Sequence, residues 1–405
     1  MDATTTRFVI IPNKLELWSV DSSFQEPSNK NEIYFNTDQK LIYTAFFADF
    51  GPLDIGKTYE FCCMLDNYMK SATTNKQKVI YYCSNHLHCL LNSAVLILSY
   101  MTFVRDSSLA EAYGPFYGCE PLTTYRDAAF CLNTCPLTLL DCAMALRRVK
   151  DLSHYEHDHF DHATFLHLSK LHHGDVSWIV PNKFIAFSGP LSKRRQLENG
   201  NYTLTATEYV PLFKKLGVTC VVRFNNKCYN KSIFVDAGIR HVDLFYEDGG
   251  NPTPAIMQKF IQISEREKGA IAVHCKAGLG RTGTNIAAYM IKHYGYSARE
   301  ATAWCRICRP GSVVGPQQQY LASVEPQLKA EGKNFWKQHG LGLMVQASIK
   351  RPSGSVLEEL ANLNIVVPFG KSEDDKNEQP SLMSKPTSKG PTNVNLNLGL
   401  KAMKV

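Results

Sequence analysis

The stretch that most limits what this chain can fold into runs from Ile271 to Thr284 and reads Ile-Ala-Val-His-Cys-Lys-Ala-Gly-Leu-Gly-Arg-Thr-Gly-Thr. It has the pattern of a short apolar strand, a glycine-rich loop and a helix predicted to run from about Thr282 to Tyr294. Cys275 and Arg281 are separated by five residues, Lys276, Ala277, Gly278, Leu279 and Gly280. The glycines let the backbone curl so that successive N–H groups face one centre. The following helix aims its positive end at the same point. Arg281 closes the ring with a planar, two-pronged donor suited to phosphate oxygens. The expected product is a cup for a tetrahedral dianion, lined by residues 276–281, with the Cys275 sulfur at its floor. A positive field of this kind favours the thiolate. His274 is expected to order the loop by hydrogen bonding, and Thr282 to offer its hydroxyl to the sulfur. The chemistry that suits such a cup is in-line attack of Cys275 on a phosphoryl group, giving a cysteinyl-phosphate that water hydrolyses. It needs neither a metal nor an organic cofactor.

The chain carries its own control. His88-Cys89 also follows a β-rich run, but the residue six beyond Cys89 is Val95 and no glycine lies between. No anion cup can form there, so the first half is expected to be catalytically silent.

A phosphate ester also needs its leaving oxygen protonated, by a carboxylic acid on a loop that can close over the cup. Asp248 precedes two glycines and two prolines and lies 27 residues before Cys275. It is preferred over Glu247, which should point to the opposite face of a strand predicted from His241 to Tyr246. Downstream, Gln317, Gln318 and Gln319 follow a Gly-Pro turn. One of them could orient the water that attacks the phosphoenzyme, although a glutamine run there also reads as an ordinary helix start.

At roughly 150 residues per domain, 405 residues suggest two or three domains. Strand-like and helix-like runs alternate over about 6–150 and again over 176–335, which implies α/β layers that resemble a duplication. Between them, residues 151–175 read as a polar, partly helical connector with seven histidines from His154 to His173. Neither those histidines nor Cys83, His86, His88 and Cys89, nor Cys305 with Cys308, match a compact zinc pattern. Residues 345–405 hold one aromatic, Phe369, and are expected to be disordered.

A net charge of +7 is mild for this length and argues against an obligate nucleic-acid binder. The most apolar run, Leu90–Val104, is too short for a membrane span and reads as a buried helix. No secretory signal is visible after Met1, so the thirteen cysteines are read as reduced thiols.

Residues His274–Thr284, Phe245–Gly249 and Arg306–Gln319 together resemble the cell-division-cycle-fourteen, mitotic-exit type of dual-specificity protein phosphatase. Phe47–Leu53, Arg126–Phe130 and Trp178–Pro190 extend the resemblance to the first half, so that it covers about residues 7–335. It implies two tandem phosphatase-like domains, the first inactive but shaping the substrate groove. It also implies phosphorylated protein substrates, with preference for phosphoserine followed by proline, and a role opposing mitotic kinases. By the match, Cys275 is the nucleophile, Arg281 the phosphate binder and Asp248 the general acid, with a glutamine near the water. The resemblance implies residence in nucleus and cytoplasm, including centrosome, spindle or other microtubule structures.

One departure stands out. Members of the family present carboxylates to the cleft from the connector helix, which favours a basic residue after the proline. Here Phe165–His173 contains none. Selection for a basic residue is then either weaker, or met by Asp175 with acids elsewhere such as Asp158 and Asp161. In the tail, Val356, Leu360, Leu363 and Ile365 have the spacing of a leucine-rich export signal read by a receptor groove. Two rival readings use the same cup: a phosphoinositide phosphatase, which the apolar Leu279 disfavours, and a non-catalytic phosphoprotein-binding scaffold.

Overall fold

The computed structural model describes residues 5–119, 122–130 and 135–339. The tail, with its Val356–Ile365 export segment, lies outside the described residues.

The first half opens with a hairpin of β1 (Thr6–Ile11) and β2 (Leu15–Val20), followed by β3 (Glu32–Phe35). Helix α1 (Ile55–Asn75) starts where the Asp54 side chain accepts from the Lys57 amide. Next come β4 (Lys78–Ser84), the apolar α2 (Leu87–Phe103), α3 (Leu109–Tyr113) and α4 (Leu139–Asp151), the last begun by a Thr138/Asp141 capping box. The sheet order is β1-β2-β4-β3.

The connector is not one helix. It holds α5 (His162–Leu168) between two single 3-10 turns, His157–His159 and Leu171–His173.

The second half repeats the plan. A hairpin of β5 (Val176–Val180) and β6 (Phe184–Phe187) leads through α6 (Ala206–Lys215) to β7 (Val218–Arg223). Then follow α7 (Ser232–Val235), β8 (Arg240–Asp243), α8 (Pro254–Arg266), β9 (Ala270–His274), α9 (Gly280–Tyr294), α10 (Ala298–Cys308) and α11 (Gln317–His339). The order β5-β6-β9-β7-β8 matches the first sheet strand for strand, with β8 added at the edge. In both sheets an antiparallel hairpin delivers a strand parallel to the central one, β2 to β4 and β6 to β9. The duplication expected from the alternation is therefore real in topology. Strand β9 is buried along its whole length, as befits a parallel strand covered on both faces.

The halves are joined through α4 and α10. Arg299 grips Asp141 with two hydrogen bonds of 2.7 and 2.6 Å and donates to Pro136 O at 2.7 Å. Among the described residues no helix is long and apolar enough to cross a membrane.

Candidate active site

In the second half, β9 ends at His274 and α9 begins at Gly280, leaving Cys275–Leu279 as a five-residue loop. Every carbonyl of this loop is tied down. Cys275 O accepts from His274 Nδ1 at 2.9 Å and Lys276 O from Gly189 N at 2.9 Å. Ala277 O and Gly278 O accept from Arg309 Nη2 and Nε at 2.9 and 3.0 Å, and Leu279 O from Gly283 N at 2.9 Å. A trans peptide points its C=O and the next N–H in opposite directions. Pinning the carbonyls of 275–279 outward therefore turns the amides of Lys276, Ala277, Gly278, Leu279 and Gly280 inward, and the first turn of α9 adds its own. The cup is built by constraints outside it.

Two glycines make room for it. Gly278 has φ +70°, and a side chain there would overlap Phe187 O. A methyl at Gly189 would overlap Cys275 O. Gly189 follows β6, so strand and loop meet at van der Waals distance, a contact that sequence reading did not find. The Gly-Pro after a buried strand was its only signal.

His274 is fully buried, and burial holds it down at about 3, so it is neutral. With Nδ1–H donated to Cys275 O, Nε2 accepts from the Tyr229 hydroxyl at 2.7 Å, and that oxygen meets His241 Nε2 at 2.8 Å. Both ring nitrogens of His274 are thus engaged, one of them with the loop itself.

Arg281 is 3% exposed. Its Nη1 donates to Tyr246 O at 2.9 Å, and Nη2 lies 3.0 Å from Asp248 Oδ1. Among the described residues its Nε has no partner. The guanidinium is held from behind and keeps an unused donor edge. Asp248 sits on a turn beyond β8, which ends at Asp243 rather than at Tyr246 as expected. Asp243 is spent on Arg223 at 2.7 Å, whereas Asp248 is exposed and reaches the cup. The alternation argument against Glu247 therefore does not apply, because no strand passes through it.

Thr282 lies within the first turn of α9 with its hydroxyl buried and, among the described residues, without a hydrogen-bond partner, so the expected bond to the Cys275 sulfur is not made in this structure. Cys275 itself is 3% exposed.

The glutamines divide. Gln317 accepts from Val314 N at 2.9 Å and donates to Gly250 O at 3.0 Å, and its Oε1 would lie 3.0 Å from a methyl at Gly280. It therefore stands between the acid loop and the cup. Gln318 faces away, donating to Asp127 Oδ2 of the first half at 2.8 Å and accepting from Arg306 at 3.1 Å. The expectation that Gln318 serves the water is corrected: it is spent on the joint between the halves.

Asp175 is corrected as well. It is not a carboxylate offered to the groove. Both its oxygens are held by Arg309, at 3.0 and 2.5 Å, and Arg309 is the group that clamps the cup carbonyls. Asp161 is occupied too, capping α5 through Thr164 N at 2.9 Å.

In the first half, β4 ends at Ser84 and α2 starts at Leu87, capped by His86. Two residues stand where the second half has five, too few to ring an anion. Among the described residues no group of three or more His, Cys, Asp or Glu is placed to hold a metal ion.

Residues 9–149 match the family model described as dual specificity protein phosphatase, N-terminal half, and residues 202–325 the dual specificity phosphatase catalytic domain. Dual specificity protein phosphatase CDC14A of Homo sapiens is 43% identical over 311 residues, covering 76% of this chain and 52% of the relative. CDC14B of Mus musculus is 41% identical over 309 residues (76% of this chain, 64% of the relative), and CDC14C of Homo sapiens 41% over 309 residues (76% and 69%). The chain thus spans from about half to two thirds of the length of the relatives it matches. With two family models in tandem and identity above 40% across both halves, the chain belongs to the CDC14 family of dual specificity protein phosphatases.

Proposed function

We propose that the protein is a cysteine-dependent phosphatase of phosphorylated proteins, acting on phosphoserine and phosphothreonine followed by proline and on phosphotyrosine. The observation that carries this is the cup: inward amides, the Arg281 donor edge and Cys275 together, with the Asp248 carboxylate at its mouth. In the first step the Cys275 thiolate attacks phosphorus. The bond to the leaving oxygen breaks, and Asp248 supplies the proton that oxygen needs. In the second, water attacks the cysteinyl-phosphate, Asp248 takes a proton from the water, and phosphate and thiolate are released. The amides and Arg281 stabilise charge on the equatorial oxygens in both steps. Gln317, between the acid loop and Gly280, is the glutamine best placed for the water.

Turnover of a small aryl phosphate, of phosphoserine-proline peptides and of a polyphosphoinositide tests this reading. Cys275→Ser is expected to abolish turnover, and Asp248→Asn to lower kcat by about 10²- to 10⁴-fold on a poor leaving group. Faster lipid hydrolysis points to the phosphoinositide reading. Absent turnover that Cys275→Ser leaves unchanged points to the scaffold.

The family name that the relatives carry supports a cell-cycle role, and we propose that the protein opposes mitotic kinases in it. We further propose shuttling between nucleus and cytoplasm, with access to centrosome or spindle, through the 356–365 segment. Replacing Leu363 and Ile365 with Ala should trap a fluorescent fusion in nuclei; an unchanged distribution dismisses the idea.

A further inference from the structure

A group of basic side chains sits beside the clamp that holds the cup. His167 and His173 stack with ring centroids 3.6 Å apart at 14°, and His172 lies 4.2 Å from His173. Lys170 belongs to the same turn: its carbonyl accepts from His173 N at 2.9 Å and from Asp175 N at 3.0 Å. His173 Nδ1 donates to His167 O at 3.1 Å. Among the described residues none of the four takes part in an ion pair, and His167 and Lys170 are exposed.

Among the described residues no acid forms an ion pair with them. Asp175 is paired with Arg309, and Asp161 is turned to the amide of Thr164 at the start of α5. On α6, which packs on Gly174 through Tyr209 and Leu212, Glu208 is taken by Arg194, and Lys214 and Lys215 are basic. At the start of α1, next to α5, Asp54 is paired with Lys57 and Glu60 with Lys40. Lost hydration, followed by the charges of His173, Lys170 and His167, holds His172 below the usual histidine range. A bound anion would relieve that mutual repulsion.

The group is also anchored to the cup. His173 is two residues from Asp175, and Asp175 is one guanidinium from Ala277 O and Gly278 O. An extended peptide covers about 3.3–3.6 Å per residue, so a scan of the separation between two phosphoserines reads the distance between the two sites.

We propose that His167, Lys170, His172 and His173 form a second anion subsite, which takes a further phosphoryl group on a multiply phosphorylated protein substrate whose first phosphoserine lies in the cup. The inference rests on the phosphatase reading and narrows its substrate class. It reverses the basic-residue preference that the family resemblance implies for this side of the cleft.

The test uses the full chain and phosphoserine-proline peptides carrying, three to six residues away on either side, alanine, lysine, aspartate or a second phosphoserine. The doubly phosphorylated peptide is expected to exceed the alanine peptide at least 10-fold in kcat/KM at pH 6.5. Aspartate should give a smaller gain and lysine a loss. The advantage should shrink as pH rises to 8, as His172, already held below the usual histidine range, loses what remains of its charge. It should also fall in Lys170→Glu and in the triple variant H167Q/H172Q/H173Q; the single exposed change guards against a folding defect in the triple. Equal kcat/KM for all four peptides, a lysine preference, or an advantage that survives both variants overturns the proposal. So does a histidine-dependent gain seen only on phosphoinositide vesicles. If no substrate is turned over, aryl phosphate included, the phosphatase reading itself fails; if aryl phosphate turns over normally but the doubly phosphorylated peptide gains nothing, only the subsite fails.

Discussion

Arg309 does more for the cup than any residue inside it except Cys275 and Arg281. Its guanidinium is 6% exposed, fixes two consecutive carbonyls of the loop, and is itself oriented by both oxygens of Asp175 and by Ser177 Oγ at 3.1 Å. It touches no reacting atom, so it is a positioning residue. A lysine at the same place keeps the charge but cannot reach two carbonyls and a carboxylate at once. Arg309→Lys is therefore expected to weaken inhibition by inorganic phosphate about 10-fold and to lower kcat by 10- to 100-fold, since displacement by a fraction of an ångström spoils preorganised donors. Asp175→Asn should show the same trend more mildly. Lower thermal stability with an unchanged phosphate inhibition constant and kcat would mean that the clamp supports only the fold.

At the scale of elements, sequence and structure agree best where one pattern carried both local preference and packing. Strand β4 lies where its β-rich run placed it, α8 where Thr253 and Pro254 announce a start, and the cup where glycine spacing required a curl. The disagreements share a cause. Asp248 lies 3.0 Å from Arg281, but the strand beneath it stops at Asp243, whose carboxylate Arg223 holds. Asp175 and Gln318 were assigned to the cleft because carboxylates and amides read as functional groups, whereas each is spent on a partner more than a hundred residues away. Long-range pairing of this kind leaves no periodicity, and only packed coordinates reveal it. The same holds for Gly189, whose missing side chain matters only because Cys275 O occupies the space. The contrast at the corresponding place in the first half, by comparison, was legible: no glycine follows His88-Cys89, and β4 runs almost directly into α2.

Across the whole molecule the two halves behave as one packed body because charged groups are sealed in their joint. Asp127 of the first half accepts from Gly315 N at 2.5 Å and from Gln318 at 2.8 Å, and Arg306 is buried behind Gln318. The fold also buries histidines in a neutral state. Burial holds His154, His241 and His293 at about 4 and His274 at about 3, from an ordinary 6.5. His154 bonds Tyr296 of the second half from the connector, so this burial spans the joint. Below about pH 6.5 the unfolded chain takes up protons that the folded chain refuses. Stability is thus complete above that pH and is lost as pH falls toward 4 and then 3, each histidine contributing a slope of about 1.4 kcal/mol per pH unit inside its own window. Urea midpoints measured from pH 8 to pH 4 should be level above about pH 7 and fall steeply below 6.5. His154→Gln and His293→Gln should each make that fall shallower. Midpoints that decline evenly from pH 8, or variants with the parent slope, would show that the buried imidazoles do not set the acid limit of this fold.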